Sequence, residues 1–371
     1  MTSLRAVTLQ LFERLKDDSV DVDAEYVVAP SSIEEAAAIL AAAAEAGIPT
    51  AFRGSGTHQG YGNPVSADLV VTTTRLDTII DWQPDDLTVV VQAGMPIDAL
   101  EAEIATRRQT AVFPEMMPGS TIGGVVTIGL SGYRRLRFGP TRDRVLQVRM
   151  ATGYGKVVTG GSPVVKSSTG YGLPRLVTGS LGSLGMIGEV TLKLWSEPMS
   201  VATVEVGDAA AALRDLYRPF AALETSEGSF VYLGGPESQI TAESGLVGTA
   251  PRRGFAWPEP IFEPVRLELR VPAAHVATAV EWMPRLGAIR WIAQHGVGIV
   301  SGGFEEFDAE GFRAARAWAE SVAGALVVTS GIGESFDPWG SPPSSIEIQR
   351  RIKHAFDPAG ICNPSILAGG L

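Results

Sequence analysis

The chain has 371 residues, 45% hydrophobic and 19% charged, with 42 glycines and 24 prolines: a folded, turn-rich composition with room for about two or three domains. A net charge of −11, with no basic run beyond YRRLR at Tyr133 to Arg137, argues against nucleic-acid binding, which draws on clustered Lys and Arg. The single cysteine, Cys362, excludes an internal disulfide, a zinc ribbon or an iron–sulfur cluster held by this chain alone and fits a reducing compartment.

The N-terminal MTSLRAVTLQLFERLKDD carries charges through what would be a signal h-region, and no apolar run approaches about 18 residues. The expectation is a cytoplasmic protein with no integral membrane segment. Leu4, Val7, Leu11 and Leu15 stand at helical spacing, which predicts an N-terminal docking helix. From Ser31, SSIEEAAAILAAAAEAGIPTAFRG predicts a capped, Ala-rich helix stopped at Gly47, then a strand over 49–52. LVVTTT (69–74), TIIDW (78–82) and LTVVVQAG (87–94) have strand composition, and a helix opens at Pro96 and runs to about Arg107.

Three stretches of small residues follow one another: RGSGTHQGYGN at 53–63, FPEMMPGSTIGGVVTIGLSGYRRLRFG at 113–139 and GYGLPRLVTGSLGSLGMIG at 170–188. They share no fixed period, so no solenoid or propeller is indicated. After Pro198 the pattern restarts. VATVEVGDAAAALRDLY and RLELRVPAAHVATAVEWM each read as strand then helix, and IRWIAQHGVGIVSGGF reads as two strands around Gly296. The C-terminal IQRRIKHAFDPAGICNPSIL predicts a basic helix broken at Asp-Pro.

Taken alone, 53–62 permits either a nest of exposed backbone N–H groups that would hold a phosphate or an ordinary tight loop. It has neither the GK[ST] ending of a Walker loop nor the GxGxxG spacing of a dinucleotide fold.

The order of the three stretches, RGSGTHQGYG after a strand, then PGSTIGG with SGYRRLRFG, then TGYGLPRLVTGSLGSLGMIGEVTLKL, closely resembles the vanillyl-alcohol-oxidase-type (PCMH-type) FAD-binding fold. Within that group it is most similar to the FAD-binding subunit of bacterial glycolate oxidase. The resemblance covers about residues 26 to 197 and resumes at FDPAGICNP. It implies an α+β protein: an N-terminal helix at 1–25, a two-subdomain FAD-binding domain at 26–198, an α+β cap or substrate domain at 199–330, and a segment at 331–371 returning to the first domain.

It further implies that Arg53, Gly54, Ser55, Gly56, Thr57 and His58 surround the pyrophosphate. Pro118, Gly119, Ser120, Thr121, Gly123 and Gly124 would run along the flavin, Ser131 and Gly132 would continue that wall, and Ile187 would meet the adenosine end. Several relatives bond FAD through a histidine where Thr57 stands, so the expected FAD is noncovalent. The usual Asn before Ala-Ser-Gly is replaced by Gly129-Leu130-Ser131-Gly132, and Ser167-Ser168-Thr169 and Gly172 replace an Asn and Asp farther on.

Oxidation of an alcohol needs a base for the hydroxyl proton and, for an acid, a cation for its carboxylate. The four histidines, His58, His275, His295 and His354, form no metal-binding group, so no metal is expected. The catalytic candidates are His295, Tyr171 and Arg137, each with a structural role as its alternative; Arg266, Glu268 and Arg270 share a strand face that sequence alone reads as exposed. The resemblance implies an FAD-dependent oxidoreductase for a small hydroxy acid or alcohol, with iron–sulfur and second flavin subunits as partners. The alternative is a noncatalytic flavin-binding scaffold or electron-relay subunit.

Overall fold

Ser32 opens the helix Ile33–Ala46 by accepting from the Glu35 amide at 3.1 Å, while the Glu35 carboxylate accepts from the Ser31 amide at 2.8 Å. The two bonds satisfy donors that a helix start leaves unpaired. Gly47, at φ 65°, closes the helix with a left-handed cap. The buried stripe Ile33, Ala36, Ile39, Leu40 and Ala43 then packs between two sheets, each fully buried Ile or Leu contributing roughly 1.5–3 kcal/mol. Short alanines permit close approach here: a side chain at Gly155 would meet Ala41 Cβ at 2.4 Å.

The computed structural model describes residues 2–20, 22–115, 117–164, 172–333 and 336–371. On one side of that helix lies a parallel sheet of Tyr26–Val28, Leu69–Thr72 and Thr50–Arg53, with Leu69 opposite both Tyr26 and Thr50. On the other lies an antiparallel sheet in the order Ile79–Gln83, Thr88–Gln92, Gly185–Lys193, Val145–Thr152, Val157–Gly161. The N-terminal helix Thr2–Arg14 joins the same core through Phe12, and Leu15 follows. Asp17 anchors it: burial works against its charge, yet hydrogen bonds from Ser19, Thr72 and Thr74 hold its carboxyl at about 2.

The small-residue stretch 113–139 contains the helix Ile122–Ile128, capped by Thr121 and closed by Gly129 at φ 74°. The third stretch likewise holds a short helix, Leu173–Val177, and the start of the long strand Gly185–Lys193. Local composition hides both helices because glycine, proline and β-branched residues have low helix propensity, which tertiary packing overrides here.

Residues 200–330 supply an eight-stranded antiparallel sheet, ordered Arg252–Arg253, Ser200–Val206, Gly228–Gly235, Ala221–Thr225, Arg290–Gln294, Ile299–Phe304, Val265–Arg270, Ala325–Ser330. Helices Val276–Arg285 and Ala309–Ser321 cover one face through Met283, Phe312, Ala315 and Ala319. The other face turns toward the first lobe, where Tyr133 and Phe138 meet Trp257 and Phe220 at ring separations of 5.6 and 5.5 Å.

After the helix Ile346–Phe356 the chain reaches the parallel sheet. Asn363 N–H donates to Thr50 O at 2.8 Å, and Thr50 N–H donates to Ile361 O at 2.8 Å. Lys353 Nζ reaches the fully buried Asp357 at 2.6 Å and the carbonyls of Ser183 and Cys362 at 2.7 and 2.8 Å. A buried ion pair with its remaining hydrogen bonds made thus fixes the turn that presents Asn363.

Candidate functional site

Two adjoining cavities run from the first lobe into the space under the large sheet, of about 220 and 320 Å³. Thr57, His58, Tyr61 and Ile128 line both. The smaller is a cleft walled by the glycine loop that leaves the strand Thr50–Arg53. Gly54 packs so tightly on Thr121 that a Cβ would lie 2.3 Å from its hydroxyl, and Gly56 sits at φ 82° beneath the Arg53 guanidinium. Among the described residues, no protein acceptor receives the backbone N–H groups of Gly54, Ser55, Gly56, Thr57 or His58. Unpaired amides on a concave loop are a donor set for an anion of the size of a diphosphate.

The opposite wall comes from Thr121, Gly123 and Gly124, from Leu181, Gly182 and Gly185 to Ile187, and from Asn363. Asn363 bridges three segments, accepting from Phe52 N–H at 3.2 Å and donating to Leu181 O at 2.6 Å. Gly182, at φ 72°, leaves room for it: a Cβ there would lie 2.7 Å from Asn363 Nδ2.

Of the expected cofactor residues, Arg53, Gly54, Ser55, Gly56, Thr57, His58, Thr121, Gly123, Gly124 and Ile187 line the cleft, and Ser131 lines the larger cavity. Four do not, and each has another part. Pro118 and Gly119 are exposed on the turn before the helix. Ser120 is buried behind the loop, its hydroxyl 3.0 Å from Thr57 Oγ1 and 3.2 Å from His58 Nε2. Gly132 lies under Glu115, whose Oε2 would be 2.0 Å from a Cβ. That close approach lets Glu115 accept from Tyr133 N–H at 2.8 Å and pair with Arg134, which sets the turn carrying Tyr133 and Arg135 into the cavity.

The larger cavity lies between Ser131, Tyr133 and Arg135 of the first lobe and Arg266, Glu268, Arg270, Gln294, Ser301 and Thr329 of the sheet. Alternation along Val265–Arg270 turns Val265, Leu267 and Leu269 to the helices and the three charged residues to the cavity. The expectation that this face is exposed is therefore corrected. Its only sequence signal was the charge alternation of RLELR.

Arg270 is engaged, donating to Glu268 through Nε at 2.9 Å and Nη2 at 2.7 Å and to the Tyr61 hydroxyl. Arg266 makes one long bond, 3.4 Å to Ile261 O, and Arg135 has no ion-pair partner within 4.0 Å among the described residues. Burial, then the Arg266 charge, lowers the His58 imidazole to about 4, so it is neutral at pH 7.

Two catalytic candidates are displaced. His295 lies next to the cavity-lining Gln294 but points away, with Nε2 2.8 Å from Glu224 Oε2. Arg137 donates to Arg218 O and lies 4.6 Å over the Phe220 ring, tying the lobes together outside both cavities. Arg135, two residues earlier, takes the cavity position because the short helix Arg135–Phe138 turns alternate side chains apart. Tyr171 and the 167–169 departure lie outside the described residues. No group of three or more His, Cys, Asp or Glu able to hold a metal occurs among the described residues, and no described helix is long and apolar enough to cross a membrane.

Residues 24–161 match the family model described as FAD binding domain, and the loop amides, the cleft and the wider cavity fit a diphosphate joined to a flat ring. The chain is 33% identical over 171 residues to an uncharacterized FAD-linked oxidoreductase of Mycobacterium tuberculosis, covering 46% of this chain and 37% of that protein. It is 33% identical over 152 residues to glycolate oxidase subunit GlcE of Escherichia coli, covering 40% of this chain and 43% of that protein. These matches span less than half of either relative. A solved alkyldihydroxyacetonephosphate synthase shares the fold, with a TM-score of 0.65 at 16% identity over 93% of this chain and 76% of that one.

Proposed function

Starting from the FAD-binding domain at residues 24–161, we propose that this protein is an FAD-dependent oxidoreductase that oxidises a small 2-hydroxy acid with noncovalent FAD. The observation that carries the reading is the pair of weakly engaged guanidinium groups, Arg135 and Arg266, in a cavity continuous with the glycine-loop cleft. Bound FAD supplies the hydride acceptor. The amides of 54–58 hold its diphosphate without a buried lysine, and Thr57, standing where a covalent anchor would be, offers only a hydroxyl. Arg266 and Arg135 seat the substrate carboxylate, and the apolar walls at Ile128, Leu130 and Ile292 keep water from the reacting carbon. The name of the Escherichia coli relative supports a hydroxy-acid substrate and a multi-subunit setting. With one cysteine among these 371 residues, any iron–sulfur relay is held outside them.

One observation favours a second reading, a flavin-binding relay subunit without its own substrate. His58, the histidine that lines the cavity, is too weak a base at about 4 for efficient proton abstraction near neutrality. Anaerobic mixing of the FAD-loaded protein with glycolate, both lactates, 2-hydroxyglutarate and simple alcohols separates the readings. Bleaching of the flavin band by a hydroxy acid, lost in Arg266→Met, is the expected result. Bleaching only after a partner is added supports the relay, and a folded protein that neither carries nor takes up FAD overturns both.

A further inference from the structure

Gln294 is 3% exposed, lines the larger cavity, and its side-chain oxygen has no hydrogen-bond partner among the described residues. Its neighbours on the cavity face are Ile292 on its own strand and Ile299 directly opposite. A buried amide in such a place costs free energy until something supplies the missing bond. Neither Tyr61 nor Arg270 does so: Arg270 donates to the Tyr61 hydroxyl and to Glu268, and no group reaches the Gln294 oxygen among the described residues.

Strand register places this amide relative to the arginines. Gln294 faces Ile299, Ser301 faces both Ile292 and Glu268, and Arg266 faces Gly303. Arg266, Ser301 and Gln294 therefore step diagonally across three adjacent strands on one face. Each step is on the order of 7–8 Å, somewhat less between Cβ atoms, and the long Arg and Gln side chains close most of the span. What remains fits a chain of a few carbons.

Resting on the hydroxy-acid reading above, we infer that the cavity selects a 2-hydroxy acid bearing a second, uncharged hydrogen-bonding group, a hydroxyl or amide, which Gln294 reads with Ser301 beside it. A second carboxylate is disfavoured at that end because the nearest guanidinium in the same row, Arg270, is already neutralised by Glu268. An alkyl end is disfavoured because it would leave the amide unpaired.

The test uses 2-oxo acids, which bind the oxidised, FAD-loaded protein without turnover. Hydroxypyruvate is compared with 2-oxobutyrate, and 4-hydroxy-2-oxobutanoate with 2-oxopentanoate, each pair exchanging hydroxyl for methyl. Calorimetric titration is expected to give at least a tenfold preference for the hydroxylated member of one pair. That preference falls to within twofold in Gln294→Leu, whose side chain suits Ile292 and Ile299, and returns in Gln294→Glu, with FAD affinity unchanged throughout.

Equal affinities in the unmodified protein, or a preference untouched by Gln294→Leu, overturn the inference. A Gln294→Leu change that moves the flavin spectrum or FAD affinity while leaving the preference intact also overturns it, by assigning the amide to the cofactor. If both members bind equally and both weaken in Arg266→Met, only this inference fails. If no oxo acid binds the unmodified protein, the hydroxy-acid reading fails and takes the inference with it.

Discussion

Tyr61 and Arg270, 209 residues apart, meet across the cleft: the phenol oxygen at the end of the glycine loop accepts from the guanidinium of the large sheet. The same guanidinium grips Glu268, and Tyr61 stands edge-on to Trp339 at 5.8 Å. One hydrogen bond thus joins the glycine loop to the face that lines the second cavity.

Tyr61→Phe keeps the ring and removes that bond. Losing a hydrogen bond to a charged group costs about 1.5–3 kcal/mol, so urea unfolding should show a loss in this range and FAD should dissociate faster. Unchanged stability and FAD retention would show that the contact does not latch the loop.

Gly132→Ala places a methyl group into Glu115 Oε2 and Pro114 Cα, at 2.0 and 2.8 Å. Overpacking of this kind costs about 1–3 kcal/mol, and the displaced Glu115 no longer holds the turn carrying Arg135. The expected readouts are a lower melting temperature and weaker binding of carboxylate ligands.

Lys353→Met leaves Asp357 buried without its cation. Removing one partner of a buried pair costs about 3–5 kcal/mol. Because Asp357 also orders the Ile361 and Cys362 amides just before Asn363, FAD affinity should fall together with stability, measured by urea unfolding and flavin fluorescence.

His58 gives a pH signature. Its imidazole titrates near 6.5 when unfolded and at about 4 when folded, so the unfolded state binds the extra proton. The neutral form's stabilisation is complete above 6.5 and is lost as pH falls toward 4, amounting to at most about 3 kcal/mol. Urea unfolding across this window should show the decline, and His58→Gln should flatten it. A decline of equal size in the variant would assign it to other groups.

Thr57 in place of a covalent anchor predicts that denaturation frees the flavin. Acid precipitation of the FAD-loaded protein should leave all yellow colour in the supernatant. Flavin retained by the pellet would show a covalent link.

Much of the cofactor lobe was legible because its signals are local. A Ser cap, an Ala-rich helix and a Gly stop within 31–47, and glycines at 54 and 56 followed by Thr57, act through backbone geometry that neighbours in sequence largely set. Ser131 lines the larger cavity and Ile187 the cleft. Gly132, Pro118, Gly119 and Ser120 belong to the same matched stretches but act beside the cavities, since a motif conveys residue type and not the direction a backbone turn takes.

What could be read from the residues alone was an α+β lobe resembling FAD-binding folds, followed by a second α+β region. The tertiary structure alone decided which side chains share the larger cavity. Gln294 and His295 are adjacent yet point to opposite sides, and Arg135 takes the cavity position in place of Arg137, two residues on and on the opposite side of a four-residue helix. Arg266, Glu268 and Arg270 read as a solvent face until the first lobe covers them. The physical reason is that backbone-held anion sites are built from consecutive residues, whereas a substrate cavity is built from faces of distant strands whose orientation depends on register and on what packs above them.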